Sequence, residues 1–406
     1  MPSSRPLRNA ALFVGALLAS APYAALAQET TPKTVDDFRA GAAVEHSGVR
    51  DQGNAGFCWA YSTTAMIEAG LLRDRRIQLD LSEEYVAFFN IYDQLLKMAP
   101  QLFAMMKRDG TPTAKKNAAI NDFVNGALIL FFFHPTEGAP DLTSGPNLIE
   151  KYGIVPQSVF PFKSKGGLFA SRVEGRVRRF INQTLRDPEK SKAFRKRNAD
   201  GTYSNEPLAE PILVELAKAY TNEAIAPPAE GQPSLAKALL GAYRDGFTYE
   251  GVHYDPKEFA KSYLGFAPSN YRVVAVDSKH EKEGLALLSE TLAKGEPAEL
   301  AFTLYEGYSE QAKASGIFQP GLCSGKPCGV AGGHAVLIVN SAQDAKTDRL
   351  GGVIIQNSWG PVGLDDRGQP GETKGFQIVT LDYLRKVYTE AKEKPEDRNW
   401  TFLIRR

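Results

Sequence analysis

The sequence predicts an α+β protein in which a helical lobe faces a β-barrel-like lobe. Helical patterns dominate up to about residue 265, whereas most patterns after that residue are those of strands. This segregation of helices and strands is typical of α+β proteins. The chain has 406 residues, 43% of them hydrophobic. That length allows two domains or one large two-lobed unit, and it can bury a large core.

The helical part contains three recognisable helix signals. A helix follows Cys58 and has an apolar stripe on one face, formed by Ala60, Thr64, Ile67 and Leu71. A second helix begins near Pro146 and ends at Gly153, because glycine is favoured just past a helix C-terminus. A third begins at Asp255 with Pro256 in its first turn, a common N-terminal pairing.

The later part of the sequence consists mainly of short apolar runs bounded by turn residues. We expect helices there near 284–293 and 381–391. The predicted strands are Tyr271–Val276, Glu299–Leu304, His334–Asn340, Gly352–Asn357, Gly375–Thr380 and a closing strand over Trp400–Ile404.

The charge balance argues against a nucleic-acid binder driven by net charge, because 48 basic residues face 47 acidic ones. One segment, 163–197, nevertheless holds twelve basic residues against three acidic ones. Contact with a polyanion is one interpretation of this segment, and a solvated helix face is the other. The second is favoured, since the segment lacks the aromatic interleaving expected of a base-stacking platform. We therefore expect no nucleic-acid partner.

The N-terminus has the three-part pattern of a secretory signal. Arg5 and Arg8 precede an apolar run, Ala10–Ala19, and small residues follow up to Ala27. We expect residues 1–27 to be a signal peptide and residues 28–406 to form the mature, secreted or periplasmic protein; the alternative is an uncleaved membrane anchor. No other stretch is long and apolar enough to cross a bilayer, so no stable membrane span is expected after cleavage.

The three cysteines divide into a pair and a single residue. Cys323 and Cys328 bracket the turn-forming sequence Ser-Gly-Lys-Pro, and an exported chain meets an oxidising compartment. We expect a local disulfide between them, the alternative being three buried thiols. Cys58 is then a free thiol, and such a residue is usually either buried or chemically used.

Cys58 follows a glycine-rich turn and lies where a helix begins. Helix N-termini favour anions, so this position is expected to lower the pKa of the thiol. His334 opens an apolar strand after Gly333, and Asn357 ends another strand. An asparagine can accept from one imidazole nitrogen and leave the other for the thiol. Gln52, just before the turn, can donate to a developing oxyanion together with the backbone N–H of Cys58.

These blocks resemble the papain superfamily of cysteine peptidases. The resemblance rests on Gln52, five residues and Cys58-Trp59, on Gly-His334-Ala, and on Asn357-Ser358-Trp359-Gly360, in the family's order of Cys, His and Asn. It implies a two-lobed papain-like fold and a catalytic triad of Cys58, His334 and Asn357, with Gln52 in the oxyanion hole. Trp59 and Trp359 would support the active site. A peptide or protein substrate is implied, without metal or organic cofactor; the remaining histidines have no zinc-site spacing.

Three departures distinguish the chain from papain itself. Ala55 stands where papain relatives carry a cysteine, and the sequence before Cys58 has no room for papain's long propeptide. His334 lies 334 − 58 = 276 residues after Cys58, about twice the usual spacing of roughly 130–150. We therefore expect a helical insertion at about 163–270.

Two further segments resemble the bleomycin hydrolase and aminopeptidase C branch: 81–89, beginning Leu-Ser-Glu-Glu-Tyr, and 148–156, containing Glu-Lys-Tyr-Gly. The resemblance allows a homo-oligomer built through the insertion. It also places a substrate-binding wall at Gly138 to Asp141, where Ala139 and Pro140 interrupt the usual glycine pattern, and Gly333 would allow close approach of substrate backbone. Asp141 would meet a substrate amine or a basic side chain, although the role of a turn-forming residue after Pro140 is favoured.

The predicted function is peptide-bond hydrolysis by an exported papain-like enzyme through an acyl-enzyme intermediate. Endopeptidase and aminopeptidase action both stay open, because the sequence stops at Arg406 directly after a predicted strand. That ending leaves no tail of the kind that restricts cleavage in the resembled branch. Two alternatives from other classes are a catalytically inactive papain-fold peptide-binding protein and an acyl transferase.

Overall fold

The computed structural model describes residues 33–53, 56–107, 113–133, 142–162, 169–223, 234–305, 307–320, 330–371, 374–390 and 399–406. By their contacts, residues Pro32–Arg406 group as one compact unit. Among the described residues, no helix is both long and apolar enough to cross a membrane. The predicted signal peptide, 1–27, lies outside the described residues, and so does residue 163, at which the predicted insertion begins.

The helices lie mainly in the first two thirds of the chain, as predicted. They are α1 (Cys58–Arg75), α2 (Glu83–Met106), α3 (Thr113–Phe133), α4 (Ser144–Tyr152), α5 (Phe169–Phe180), α6 (Ala209–Thr221), α7 (Leu235–Asp245), α8 (Pro256–Glu258), α9 (Glu281–Ala293), α10 (Tyr308–Ser315) and α11 (Leu381–Glu390). A π-helical turn continues α5 over Ile181–Leu185, and another continues α8 over Phe259–Tyr263.

The strands are β1 (Phe38–Ala43), β2 (Arg195–Arg197), β3 (Tyr203–Pro207), β4 (Phe247–Tyr249), β5 (Val252–Tyr254), β6 (Tyr271–Val276), β7 (Ala298–Tyr305), β8 (Ile317–Phe318), β9 (Val330–Asp344), β10 (Leu350–Gln356), β11 (Phe376–Thr380) and β12 (Trp400–Arg405). In the described chain, eight strands form one sheet in the order β6-β12-β7-β9-β10-β11-β8, with β1 on β9. Apart from the parallel β11–β8 pair, its neighbours are antiparallel.

Helix α1 packs against this sheet and against α2 and α4. The predicted apolar stripe is buried, but burial extends to most of the other positions in its first three turns as well. This happens because α1 lies between the sheet on one side and helices on the other. The sequence therefore predicted the helix and its inner face, and the structure makes it the central element of the fold.

Two of the predicted helix ends are confirmed in detail. Gly153 follows α4 with φ +78°, and a Cβ there would lie 2.2 Å from the backbone carbon of Pro256. Glycine is thus required both by the conformation and by the close approach of a second segment. Asp255 caps α8, its Oδ1 accepting at 2.8 Å from the backbone N–H groups of Lys257 and Glu258.

The helical part also contains two hairpins that the sequence did not predict, β2–β3 and β4–β5. In the second, Glu250 and Gly251 both have positive φ, 49° and 79°. Such a pair forms the two-residue turn that suits the twist of a hairpin. Strands of three to five residues are too short to produce a strand pattern in the sequence.

Two arginines in the described part of the basic segment 163–197 donate to backbone carbonyls of the same fold. Arg176 donates to the carbonyl oxygens of Ala219 and Tyr220, at 2.7 and 2.8 Å, which close the C-terminus of α6. Arg195 is 7% exposed and donates to the carbonyls of Tyr203 and Ser204. Arg195 departs from the favoured interpretation of a solvated helix face, because it lies on β2 and is buried.

Candidate active site

Cys58 is the first residue of α1, and it is buried, with 6% of its surface exposed. Its thiol sulfur accepts hydrogen bonds from the backbone N–H groups of Trp59 and Ala335. The second of these belongs to β9 and follows His334 directly in the chain. The structure thus brings the N-terminus of α1 against the strand that carries the histidine, although the two residues are far apart in sequence.

His334 and Asn357 form the hydrogen-bonded pair that the sequence predicts. Nε2 of His334 lies 3.0 Å from Oδ1 of Asn357, and both residues are buried. Since an amide oxygen only accepts, Nε2 carries the hydrogen and Nδ1 is left as the basic nitrogen. The indole of Trp359 stacks on the imidazole with ring centroids 4.8 Å apart and an interplanar angle of 17°, so it covers the ring against water.

Gln52 is held beside this pair by the segment that carries Asn357. Its backbone N–H donates to the carbonyl of Ser358 at 2.8 Å, and the Ser358 hydroxyl donates to its Oε1. In addition, Gly360 N–H donates to the carbonyl of Arg50 at 3.1 Å. Because Oε1 of Gln52 accepts from Ser358, Nε2 is the end of the amide suited to donate to an oxyanion.

Burial disfavours the charged forms of both Cys58 and His334. It raises the pKa of Cys58 to about 11, against the effect of the hydrogen bonds from Ala335 and Trp59. It also lowers the pKa of His334 to about 4, although the bond to Asn357 acts in the opposite direction. The expectation of a lowered thiol pKa is therefore wrong for this arrangement, because the loss of hydration outweighs the effect of the helix N-terminus.

An ion cluster that sequence analysis missed fixes the segment leading to Gln52. The guanidinium of Arg50 donates to both carboxylate oxygens of Glu68, at 2.8 Å each, and to Glu83, and it lies 2.6 Å from Asp80. Burial raises the pKa of Glu83 to about 7 and also raises that of Glu68, while Arg50 opposes both shifts. The cluster joins the segment before Cys58 to α1 and α2.

The other predicted site residues fall into two groups. Trp59 is buried in the second position of α1, and Gly333 pairs with Thr303 of β7, directly before His334. The remaining four lie outside the described residues: Gly138 and Asp141 of the substrate wall, and Cys323 and Cys328 of the predicted disulfide. Within the described ranges, no group of three or more His, Cys, Asp or Glu side chains is placed to hold a metal ion.

Comparisons with known proteins identify the family of the chain. The sequence model of the peptidase C1-like family matches residues 12–289, more than half of the chain. Two curated relatives match over shorter stretches. Cathepsin L of Sarcophaga peregrina is 40% identical over 67 residues, which cover 16% of this chain and 19% of that protein. Bleomycin hydrolase of Gallus gallus is 26% identical over 138 residues, covering 34% of this chain and 28% of that protein. The alignments therefore span less than a third of either relative.

Among solved structures, PepW from Lactobacillus rhamnosis HN001 superposes with a TM-score of 0.53 over 93% of this chain and 82% of that one, at 16% identity. This likeness shows the papain-like α+β fold. His334 and Asn357 lie beyond the residues that the family model matches, so their assignment depends on the sequence motifs and on the hydrogen bond between them. From the fold and the matched residues, the chain belongs to the peptidase C1-like family, in the bleomycin hydrolase branch of the papain-like cysteine peptidases.

Proposed function

We propose that the protein is an exported cysteine peptidase that cleaves peptide bonds with Cys58, His334 and Asn357. The observation that carries the proposal is the stacked, buried His334–Asn357 hydrogen bond facing the helix that begins with Cys58. Nε2 is held by Asn357, so Nδ1 is the nitrogen that can take a proton from the thiol. The alternative is that His334 is a purely structural histidine whose hydrogen bonds are satisfied by its neighbours. That role would not require a cysteine at the terminus of the facing helix.

The proposed reaction begins from the neutral pair. His334 Nδ1 accepts the thiol proton as the sulfur of Cys58 attacks the substrate carbonyl carbon, and the resulting imidazolium and thiolate stabilise each other. Gln52 Nε2 and the Cys58 backbone N–H would donate to the oxyanion, each contributing about 3 kcal/mol to the transition state. The imidazolium then protonates the leaving amine. Water, deprotonated by the same nitrogen, releases the acyl group from the sulfur.

The test compares the full-length protein, as its host processes it, with the variants Cys58→Ala, His334→Ala and Asn357→Ala on a peptide library, with cleavage detected by mass. We expect the first two variants to lose at least about 10³-fold in kcat/KM, because they remove the nucleophile and the base. Asn357→Ala should lose less, since the histidine remains. His280→Ala is the matched control, because this histidine is exposed and its ring contacts Asp277 rather than a residue of the site.

An epoxide inhibitor supplies an independent readout, since a covalent adduct should map to Cys58 of the wild-type protein. Hydrolysis that persists in the Cys58→Ala variant would rule out the proposed nucleophile. A wild-type protein that binds peptides without cleaving or labelling would instead support the inactive binding protein. Peptides with acetylated N-termini distinguish the two modes of cleavage, because an endopeptidase cuts them and an aminopeptidase does not.

Export and assembly belong to the same proposal. The pattern ending at Ala27 supports removal of a signal peptide, and N-terminal sequencing of the protein isolated outside the cytoplasm should begin near Gln28. An intact N-terminus on a membrane-bound protein would contradict cleavage.

A homo-oligomer formed through the insertion is tested by sedimentation. A single species of 44 kDa or less, the mass of one chain, would exclude the oligomer.

A further inference from the structure

Glu299 is a buried carboxyl group beneath the proposed nucleophile. It lies on β7, is 0% exposed, and occupies a position where β7 pairs with both β9 and β12. Its side chain reaches across to α1, where it meets the hydroxyls of Ser62 and Thr63. Among the ion pairs of the described residues, none includes Glu299. A carboxylate buried in this way without a cation is strongly disfavoured.

The hydrogen-bond geometry fits the protonated acid better than the carboxylate. The hydroxyl of Ser62 lies within hydrogen-bonding distance of two acceptors, Glu299 Oε1 and, at 3.2 Å, the carbonyl of Trp59. A serine hydroxyl has one hydrogen and can donate to only one of them. If Glu299 is protonated, it donates to Ser62 Oγ, and Ser62 donates to Trp59. Both contacts are then satisfied at once, and Thr63 donates to Glu299 at 3.2 Å.

This arrangement ties the first turn of α1 to the sheet. Ser62 follows Cys58 by four residues, so the two side chains lie on the same face of the helix. Trp59, whose carbonyl receives the Ser62 hydroxyl, is the residue after Cys58. The chain of contacts from β7 through Ser62 therefore ends at the peptide unit next to the proposed nucleophile.

Few other titratable groups face Glu299. Burial is the main cause of the raised pKa values of Cys58 on α1 and Tyr271 on β6, and a negative charge on Glu299 contributes to both shifts. His334 of β9 is turned to Asn357, and Arg405 of β12 to Asp74. Several charged groups of the adjoining helices are paired with one another, namely Arg385 with Glu281 and Asp382, and Lys313 with Glu310. Burial raises the pKa of Glu299 itself to about 8.

We propose that Glu299 is a positioning residue. While Glu299 is protonated, it holds Cys58 in its reactive position. When Glu299 ionises, this support is lost and a negative charge is added near the thiol. The inference rests on the proposed role of Cys58. Loss of the proton leaves Ser62 with two acceptors for one hydrogen, and the new negative charge disfavours the thiolate. Reactivity at alkaline pH should then be limited by a group outside the triad.

The test measures the rate at which iodoacetamide alkylates Cys58 between pH 6 and pH 10, in the wild type and in Glu299→Gln, with the adduct mapped by mass. Glutamine has the shape of the neutral acid and can donate to Ser62 and accept from Thr63, but it cannot ionise. We expect the ratio of variant to wild-type rates to be near one at pH 6 and to reach about fivefold at pH 9, as for a like charge near the thiol. The pH profile of kcat/KM should lose the same alkaline limb.

A matched control is Glu84→Gln, which changes another buried carboxyl held by two hydroxyls, those of Tyr61 and Tyr220. The ratio of the alkylation rate of Glu84→Gln to that of the wild type should not vary with pH. A Glu299→Gln ratio that is constant across the range, whatever its value, would overturn the proposal, because a purely structural residue has no reason to act through its ionisation. Alkylation reports on the thiol whether or not the protein is a peptidase. Failure of the proposed function would appear separately, as hydrolysis surviving in Cys58→Ala.

Discussion

Replacing Arg50 with methionine should show how much of the fold depends on the ion cluster below the active site. Arg50 contacts Glu68, Glu83 and Asp80, and the first two are buried, with side-chain exposures of 1% and 6%. Methionine keeps much of the apolar stem and removes the charge. The two buried carboxyl groups would then face each other without a cation, which is the costly way to break a buried pair.

The magnitude follows from the protonation of these carboxyls. Once Arg50 is gone, the cheapest response of the folded state is to bind protons. At pH 7 this costs up to about 3 kcal/mol for a group that titrates at 4.5 in the unfolded chain, at 1.36 kcal/mol per pH unit. Glu83 already has a pKa of about 7 with Arg50 in place, so the added cost falls chiefly on Glu68. We expect a loss of about 3 kcal/mol in the free energy of unfolding.

The pH dependence has a definite sign. The variant's folded state holds protons that its unfolded state releases, so its free energy of unfolding falls as pH rises from 4.5 through the raised folded values. At pH 5 the same cost is below about 1 kcal/mol per group. The deficit relative to the wild type should therefore be small at pH 5 and large at pH 7.

The assay is denaturant unfolding followed by tryptophan fluorescence, with all proteins carrying Cys58→Ala so that self-cleavage cannot interfere. Arg76→Met serves as the control, because Arg76 pairs with Glu45 on the surface, with 74% and 44% of the side chains exposed, and such pairs contribute little. A deficit for Arg50→Met that is equal at pH 5 and pH 7, or no larger than the control's, would refute the reasoning.

Two further predictions concern single contacts. Trp359→Ala should lower kcat/KM about tenfold or more, because it opens the His334–Asn357 hydrogen bond to water. Trp359→Phe can still stack on the imidazole and should retain most of the activity. Equal losses of kcat/KM in the two variants would contradict this role. Gly153→Ala should cost at least about 2 kcal/mol, because φ is +78° and the new Cβ would meet Pro256 at 2.2 Å. Gly251→Ala, with φ +79° and nothing within 4 Å, isolates the backbone strain, and an equal cost at both glycines in thermal unfolding would exclude the clash.

Local chemistry explains why so much of the candidate site could be predicted from sequence. His334 and Asn357 lie in short motifs whose residue types indicate a base and a hydrogen-bond acceptor. In the structure the two side chains share one hydrogen bond. Six of the eight strands of the sheet were predictable for a related reason, since continuous apolar runs bounded by turn residues identify buried strands, whereas β1 and β8 were not predicted. Gly153 was predictable as a helix end because its conformational role depends on only a few neighbouring residues.

The rest depends on contacts that join distant parts of the chain. Arg50 and Glu83 appear in the sequence as ordinary charged residues, and only the packing of α1 against α2 buries their pairing. Glu299 sits in a predicted strand, but its partners lie 236 and 237 residues away. The pKa of Cys58 was predicted with the wrong sign for the same reason: the helix terminus is visible in the sequence, whereas the depth of burial that outweighs it is not.

The hydrogen bonds between residues 50–52 and 358–360 have a consequence for folding. They join two segments separated by about three hundred residues, so they close only after nearly the whole chain has been made and its sheet assembled, and contacts of such long range form slowly. Until then Gln52 is not anchored to Ser358, and His334 is not stacked under Trp359. A nascent or partly folded chain would carry every residue of the site and yet lack their arrangement. The proposed hydrolysis would thus begin only at the final stage of folding. A chain that is still folding would therefore not cleave other unfolded copies of itself.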